Sequence, residues 1–409
     1  MTRKSVLQDL LGRLLSLCRR KQCNLVSKKF RQCPQKCFEC AFRHWVIVLI
    51  VIPSLVVLFR WWVFLTSPTR YEDWVPTYFV WNRGMALEAD VHFDEHYDPR
   101  PDFQSVFRRM QSPPLFYVFP LKLSWFAREI LPRLERPIIL LSAGHLGMVP
   151  TEFLLPSETE QILRHPKIIR WWAQNSEHPE ITNVPIGVDF ASRASGPGWF
   201  RSVRLDRYLL YNVFTNPFEP VALPFQQEAE LQELLKTLKP TGERQLGVYA
   251  DFHFQVRTRR KFRSLVRTSR PFYNETEAQS LPRTPEREEI FELIQNNPLV
   301  HITKGRLPRL KTWKEKGQFA FEISPPGFGL DCHRTWEALV LGLIVLVPES
   351  AIDDVFESLP VVFVKNWTTE LTEENLRRWR DKHANAFHNP EVRERLKLQW
   401  WIHRMRTET

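Results

Sequence analysis

Short, nearly continuous apolar runs alternate with amphipathic stretches over most of the chain after residue 110. A first set of candidate strands lies at 115–120, 137–142, 167–173 and 181–189. A second set lies at 245–251, 299–303, 319–324, 344–348 and 361–365. Between the strands of the second set, amphipathic segments with helical spacing lie at 286–295, 332–341 and 373–383. Apolar strands that alternate with amphipathic helices are typical of parallel sheets covered on both faces.

A helical segment and a turn separate the two sets. Residues 221–243 carry AELQELLKTLK and then Pro240-Thr-Gly242, which indicates a connecting helix and a linker. We therefore expect an α/β protein with two Rossmann-like domains that face a cleft. The predicted organisation is a stem at 66–110, an N-terminal acceptor-side domain at 111–240, a C-terminal donor-binding domain at 241–385 and a final helix at 386–409.

The segment 45–65 predicts a membrane helix, because it has about the 20 residues that cross the hydrocarbon. Arg60 lies near its far end, where a long cationic side chain can reach the headgroups. Residues 1–44 hold eleven Lys or Arg against Asp9 and Glu39. By the positive-inside rule this tail is cytosolic. The remainder is then lumenal, as in a single-pass type II protein of the Golgi or ER, and the sequons at Asn274 and Asn366 agree with that side.

Charge distribution excludes a nucleic-acid groove on the folded part. The 365 residues after the tail carry 46 basic and 44 acidic side chains, so the basic excess belongs to the tail. Five of the six cysteines also lie there, and a lone Cys332 closes no disulfide within the large domain. The spacing of Cys33, Cys37 and Cys40 favours a plain or acylated tail over a metal site.

The stretch 319–348, FAFEISPPGFGLDCHRTWEALVLGLIVLVP, holds the clearest candidate chemistry. A strand leads into a Pro-Pro-Gly-x-Gly loop, and Asp331 is predicted to cap the helix that follows. Gly327 and Gly329 would let a diphosphate approach backbone N–H groups at the helix N-terminus. Arg334 would add a phosphate contact. The other polar candidates on this helix are His333, which adjoins Arg334, and Glu337, whose carboxylate suits a ribose hydroxyl.

This stretch resembles the donor-binding half of exostosin-like glycosyltransferases. The similar features are the S-P-x-G-x-G loop, the D-x-H-R-T-x-E-A-L helix and the G-x-I-V-x-V strand. Weaker similarity extends over roughly 135–380. The resemblance implies a GT-B architecture in a Golgi-type membrane enzyme, with Gly327, Gly329, Arg334 and Glu337 at the sugar nucleotide.

The resemblance also implies a basic residue on the phosphates after the strand at 247–251. The candidates are Arg257, Arg259, Arg260 and Lys261, for which a solvated basic face is the alternative. Lys304, after a predicted strand end, is a further candidate, with a surface lysine as its alternative. No Asp-x-Asp occurs in the chain, which favours stabilisation of the diphosphate by Arg, Lys and a helix N-terminus without a metal or other cofactor.

An inverting transfer needs a base for the proton of the acceptor hydroxyl. The candidates in the acceptor half are His145, Glu152 and Asp189, each of which follows a predicted strand. Relatives in the resembled family often have an acidic residue where His145 stands, so the choice stays open.

The sequence thus predicts a lumenal, membrane-anchored glycosyltransferase without a metal. Its partners would be a nucleotide sugar and a glycan or glycoprotein acceptor. A non-catalytic glycan-binding or scaffolding protein of the same fold is the alternative.

Overall fold

The computed structural model describes residues 77–93, 103–191, 222–252, 285, 287–303, 305 and 307–408. All of these belong to one compact unit, Ser67–Thr409. The predicted tail at 1–44 and the predicted membrane helix at 45–65 lie outside the described residues. Within the described ranges, no helix combines the length and the apolar character that a membrane crossing requires.

The N-terminal half contains a five-stranded parallel sheet in the order β1-β2-β3-β4-β5. Its strands are β1 Val91–Phe93, β2 Leu115–Val118, β3 Ile138–Ser142, β4 Ile168–Gln174 and β5 Thr182–Val184. Strands β2 and β3 are buried along their whole length. The apolar runs predicted after residue 110 therefore correspond to β2–β5.

The N-terminal domain begins earlier than the predicted boundary at residue 111. The described helices of this half are α1 Asn82–Leu87, α2 Phe103–Arg109 and α3 Pro156–Leu163, with shorter helical turns between Pro120 and Arg133. Both α1 and β1 fall in the predicted stem, as does α2. Trp81 is fully buried in the core, and the Val80 N–H donates to Leu396 O at 2.9 Å. This part of the predicted stem therefore belongs to the folded domain. Its helices and its strand are too short to give a clear pattern in the sequence.

The C-terminal half contains a second parallel sheet, in the order β10-β9-β8-β6-β7. Its strands are β6 Gln245–Ala250, β7 Val300–Ile302, β8 Phe319–Ile323, β9 Ile344–Val347 and β10 Val361–Phe363. All five lie within the predicted strand segments. Two parallel-sheet α/β halves are therefore confirmed.

The remaining described helices connect and cover the sheets. They are α4 Pro224–Leu235, α5 Arg287–Ile294, α6 Arg309–Lys316, α7 His333–Val340, α8 Glu373–His383, α9 Pro390–Arg395 and α10 Leu398–Thr407. The single helix predicted at 386–409 is wrong. Pro390 cannot continue a preceding helix and instead begins α9, whose first turn is capped by the Asn389 side chain.

Alternation along the strands assigns side chains to three cores. In β9, Val345 and Val347 join a large cluster that includes Trp313 of α6 and residues of both halves, such as Trp81. Ile344 and Leu346 point to the other face and pack with helices α5 and α8. The outer face of the N-terminal sheet has a separate core. The central cluster therefore holds the two halves together.

Candidate active site

The strand order of the C-terminal sheet has a switch point between β6 and β8. Strand β6 lies between β7 and β8, so the connections that leave β6 and β8 run in opposite directions along the sheet. In open parallel sheets, ligands bind outside the carboxyl ends of the strands at such a point. Asp251 follows β6 there, and the loop 324–332 follows β8.

A buried cluster of charged side chains lies at this switch point. The Arg334 Nε on α7 donates to Asp251 Oδ1 at 2.6 Å. The Lys316 Nζ on α6 lies 3.0 Å from Asp251 Oδ2 and 2.8 Å from Glu322 Oε1. Lys316 and Glu322 are fully buried, and the Arg334 guanidinium lies over the Phe252 ring at 5.8 Å. Charges in such surroundings act on one another, and on a ligand, more strongly than in water.

Arg287 brings a second guanidinium to the same place. Its Nε donates to Pro326 O at 2.9 Å, and its Nη2 lies 3.6 Å from Cys332 Sγ. Burial and repulsion from Arg334 lower the pKa of Arg287. The Arg334 Nη1 is buried and has no hydrogen-bond partner among the described residues. Two neighbouring guanidinium groups with an unused buried donor favour an anionic ligand.

The pKa shifts leave this cluster with an excess of positive charge near neutral pH. Burial would raise the pKa of Asp251, but Lys316 and Arg334 outweigh it and lower that pKa to about 2. Burial raises the pKa of Glu322 to about 8, against the opposing effect of Lys316. Near pH 7 the cluster therefore holds three cations, one carboxylate and one neutral carboxyl group.

The two predicted loop glycines allow close approaches of protein groups. A Cβ added at Gly327 would lie 2.7 Å from the Arg287 Nη2. A Cβ added at Gly329 would lie 2.3 Å from the Asn175 Nδ2 and 2.7 Å from Leu146 O, both in the N-terminal half. The Gly327 N–H donates to Gly329 O at 2.9 Å. The contact of these glycines with a diphosphate stays a prediction.

Asp331 does not cap helix α7, contrary to the prediction. The cap position is Cys332, which makes no side-chain cap bond. The buried Asp331 carboxylate instead turns toward the N-terminal half and accepts from the Ile186 N–H at 2.7 Å. It also accepts from the Cys332 N–H and from the Trp336 indole. Protein donors thus occupy both carboxylate oxygens.

His333 and Glu337 of α7 both form hydrogen bonds with protein groups. The His333 Nδ1 lies 2.7 Å from Gly187 O, and the Glu337 Oε2 accepts from the Trp313 indole at 3.0 Å. The Arg334–Glu337 ion pair that helical spacing allows is replaced by the Arg334–Asp251 pair. The contact of Glu337 with a ribose stays a prediction.

The three base candidates are in two places. His145 and Glu152 both border Gly147, since a Cβ added there would lie 3.2 Å from the His145 Nδ1 and 2.5 Å from the Glu152 Oε2. Asp189 is elsewhere and forms an ion pair with Arg309 of α6 at 2.7 Å. The structure thus brings together two of the three candidates.

The His145 loop meets the donor loop. Leu146, which follows His145, approaches Gly329 through its carbonyl oxygen. The Gln174 Nε2 donates to His145 O at 3.1 Å, and its neighbour Asn175 accepts from the Asp331 N–H at 2.8 Å. The carboxyl end of β4 therefore links the candidate base to the loop after β8.

Several predicted residues lie outside the described part of the chain. They are the basic candidates Arg257, Arg259, Arg260, Lys261 and Lys304, and the sequon residue Asn274. Asn366 is exposed and precedes the turn at 367–369, and its Oδ1 accepts from the N–H groups of Thr368 and Thr369.

No group of three or more metal-binding side chains occurs among the described residues. That the reaction needs no metal stays a prediction, because the side chains of the protein alone do not show which ions the reaction uses.

Sequence reasoning did not find four members of the charged cluster, which are Asp251, Arg287, Lys316 and Glu322. These residues lie on different elements, so no spacing in the sequence joins them. The one available signal was Glu322, a carboxylate within the apolar run FAFEIS. A buried carboxylate needs a partner, but the sequence does not identify Lys316 as that partner.

Comparisons with known proteins find low similarity. No protein-family model matches the chain, and no curated protein matches it. One similar solved structure is described as trehalose-6-phosphate from E. coli bound with UDP-2-fluoro glucose. It has 10% identity and a TM-score of 0.30 over 74% of this chain and 75% of that chain. Another is an alpha,alpha-trehalose-phosphate synthase (UDP-forming) from Burkholderia vietnamiensis, with 10% identity and a TM-score of 0.27 over 74% of this chain and 70% of that chain.

Because these similarities are so low, the assignment of the fold depends on the two parallel sheets and not on the similar structures. The resemblance to exostosin-like glycosyltransferases stays a prediction.

Proposed function

We propose that the chain is a glycosyltransferase of the GT-B type. It transfers a sugar from a nucleotide-diphosphate donor to a hydroxyl group of a glycan or glycoprotein, without a metal ion. The observation that carries the proposal is the cationic cluster at the β6/β8 switch point. Arg287 and Arg334 lie there beside the loop 324–332, and the Arg334 Nη1 lacks a hydrogen-bond partner among the described residues.

A diphosphate suits this cluster better than a neutral ligand does. Arginine guanidinium groups bind phosphate oxygens through paired hydrogen bonds that are stronger than those between neutral groups. Asp251 holds Arg334 in place from one side and is itself paired with Lys316, so the Arg334 donors need little reorganisation when a ligand arrives. Preorganised donors of this kind lower the energy of developing charge in a transition state.

In the proposed reaction, the acceptor oxygen forms a bond to the anomeric carbon of the donor sugar. The bond from that carbon to the phosphate oxygen breaks, and the nucleoside diphosphate leaves with the electron pair. Arg287 and Arg334 stabilise its negative charge. The hydroxyl proton of the acceptor goes to a base in the N-terminal half.

Glu152 is the base candidate that the hydrogen bonds favour. The His145 Nδ1 accepts from the Gly147 N–H at 2.9 Å, so a neutral His145 carries its proton on Nε2 and donates there. Asp189 is engaged by Arg309. Glu152 adjoins the same loop as His145, which suits proton acceptance by Glu152 and orientation of a substrate oxygen by His145.

The proposed setting is the lumenal side of the Golgi or ER, with the segment 45–65 as the anchor. The basic tail and the exposed sequon at Asn366 support this setting. The donor sugar, its base and the acceptor are not specified by these features.

A thermal-shift and turnover experiment on the full chain tests the proposal. The ligands are UDP, GDP and CMP and their sugar conjugates, each with and without EDTA. We expect UDP or GDP to stabilise the chain in a saturable way, by about 2.7 kcal/mol at 100 times its dissociation constant. CMP, which has only one phosphate, should stabilise the chain less. EDTA should leave this shift unchanged, and the matching sugar conjugate should transfer its sugar to a glycan acceptor.

Two results would contradict the proposal in different ways. Saturable donor binding without transfer to any acceptor would support the non-catalytic alternative. If no nucleotide stabilises a chain that unfolds cooperatively, the result would contradict the existence of the donor site.

A further inference from the structure

A cavity lies away from the proposed donor site. It has a volume of about 400 Å³, within the range of about 300–1,000 Å³ that is usual for small-molecule sites. Its walls include Thr241 and Arg244, which precede β6, and Gly342, which lies between α7 and β9, two residues before β9. The cavity therefore lies at the amino ends of these strands, whereas the charged cluster lies at the carboxyl ends.

Arg244 is the unusual residue of this cavity. It is only 8% exposed, and its Nε donates to Lys239 O at 2.7 Å. Its Nη1 is buried without a hydrogen-bond partner among the described residues. Burial lowers its pKa to about 10, which still leaves the group charged near pH 7. A buried guanidinium with an unpaired donor is costly unless an anion neutralises it, so this group favours an anionic ligand.

The charged groups elsewhere on the wall have the same sign of charge as Arg244. They are Lys239 and Arg393, and none of the described lining residues is acidic. The other part of the wall is apolar and includes Leu238, Leu339 and Phe387. A ligand that matches both parts combines one anionic group with an apolar body.

We propose that this cavity binds a small amphipathic anion, a carboxylate or phosphate group attached to an apolar body. The anionic group would pair with the Arg244 guanidinium, and the apolar body would lie against Leu238, Leu339 and Phe387. The site is separate from the proposed donor site, and its existence does not depend on glycosyl transfer.

Ligand-observed NMR titrations of the full chain with short probes test this site. Hexanoate and hexyl phosphate carry the two possible head groups, and 1-hexanol is the neutral probe of the same length. We expect at least one of the two anions to bind saturably and at least about tenfold more tightly than 1-hexanol. The preferred head group then distinguishes a carboxylate ligand from a phosphate ligand.

Three variants locate the bound probe. Arg244→Met should weaken binding of the preferred anion at least about tenfold. Ala384→Trp should also abolish binding, because Ala384 lines the cavity and a large ring there fills it without touching the charge. Arg334→Lys should leave binding unchanged, since it alters only the donor site.

Three outcomes would overturn the proposal. The first is that neither anion binds the wild-type chain. The second is that binding persists unchanged in a folded Arg244→Met variant. The third is that Arg334→Lys removes binding while Arg244→Met does not, which would mean that the probe occupies the donor site instead.

Discussion

The Arg334 Nε lies 2.6 Å from Asp251 Oδ1 and thereby ties the first turn of α7 to the carboxyl end of β6. The bond crosses the switch point of the C-terminal sheet, between two elements that are 83 residues apart in the chain. It holds one side of the guanidinium and leaves Nη1 without a described partner. In the proposed donor site, this pair would orient the guanidinium toward the diphosphate.

Asp251→Asn should test how strongly this cluster depends on its one ionised carboxylate. Loss of that charge leaves Lys316 and Arg334 buried with only Glu322 nearby, so we expect the free energy of unfolding to fall by about 3 kcal/mol. Urea unfolding measures the change. Asp381→Asn, at an exposed position on α8, is the control and should change stability by less than about 0.5 kcal/mol. Equal stability of the two variants would contradict the described network.

Glu322 should make donor affinity depend on pH. The pKa of this group is raised to about 8 by burial, so the carboxyl group is neutral below pH 8 and becomes an anion above it. The new charge repels a diphosphate, and we expect its affinity to fall about fivefold, or about 1 kcal/mol, as pH rises through 8. A terminal phosphate loses its second proton near pH 6, so its own titration does not mask the effect.

Glu322→Gln should flatten this pH profile, and Glu373→Gln, at an exposed position, should not. The protonation of Glu322 also affects the free energy of unfolding. Because the folded pKa is raised, the contribution of Glu322 is fully present below its unfolded pKa of about 4.3 and is lost as pH rises through 8. An unchanged pH profile in Glu322→Gln would show that another group titrates.

The two loop glycines should differ in their tolerance of alanine. A methyl group at Gly329 meets the backbone oxygen of Leu146 at 2.7 Å, whereas one at Gly327 meets the flexible end of Arg287. We expect Gly329→Ala to lower the free energy of unfolding by about 2 kcal/mol and Gly327→Ala by less than about 1 kcal/mol. Thermal unfolding of both variants measures the difference, and the reverse order would contradict the described packing of the loop.

Variants of Glu152 and Asp189 should differ in their effects, the first on the rate of proton transfer and the second on the stability of the fold. Glu152→Gln is expected to lower kcat at least about 100-fold with little change in donor Kd, because the base acts only in the transition state. Asp189→Asn is expected to cost about 2 kcal/mol of stability through the loss of the Arg309 pair, with kcat retained. A large loss of kcat in Asp189→Asn alone would reassign the base.

The strands were predictable where burial on both faces produced continuous apolar runs. Strand β9, with Ile344 to Val347 all buried, is such a case. Strand β1 was missed because it has three residues, one of them His92, in a polar region. Helix α6 was missed as well, since RLKTWKEK is strongly polar and Trp313 is its only fully buried apolar residue.

The site was predictable only where its residues are neighbours in sequence. The loop with Gly327 and Gly329 and the helix with Arg334 lie together, and their motif indicated an anion site. Asp251 and Lys316 reach Arg334 through the order of the strands, which no local pattern encodes. The capping prediction for Asp331 failed for the same reason, because the donor that its carboxylate meets belongs to Ile186 of the other half.

The most direct test of the central claim is the affinity of the best nucleoside diphosphate for three chains, measured by calorimetry. These are the wild type, Arg334→Lys and, as the control, Arg377→Lys on the exposed face of α8. Lysine keeps the charge beside Asp251 but loses the paired donors, so we predict at least about tenfold weaker binding in Arg334→Lys. Arg377→Lys should bind like the wild type. Unchanged affinity in a folded Arg334→Lys chain would contradict a diphosphate site at the β6/β8 switch point.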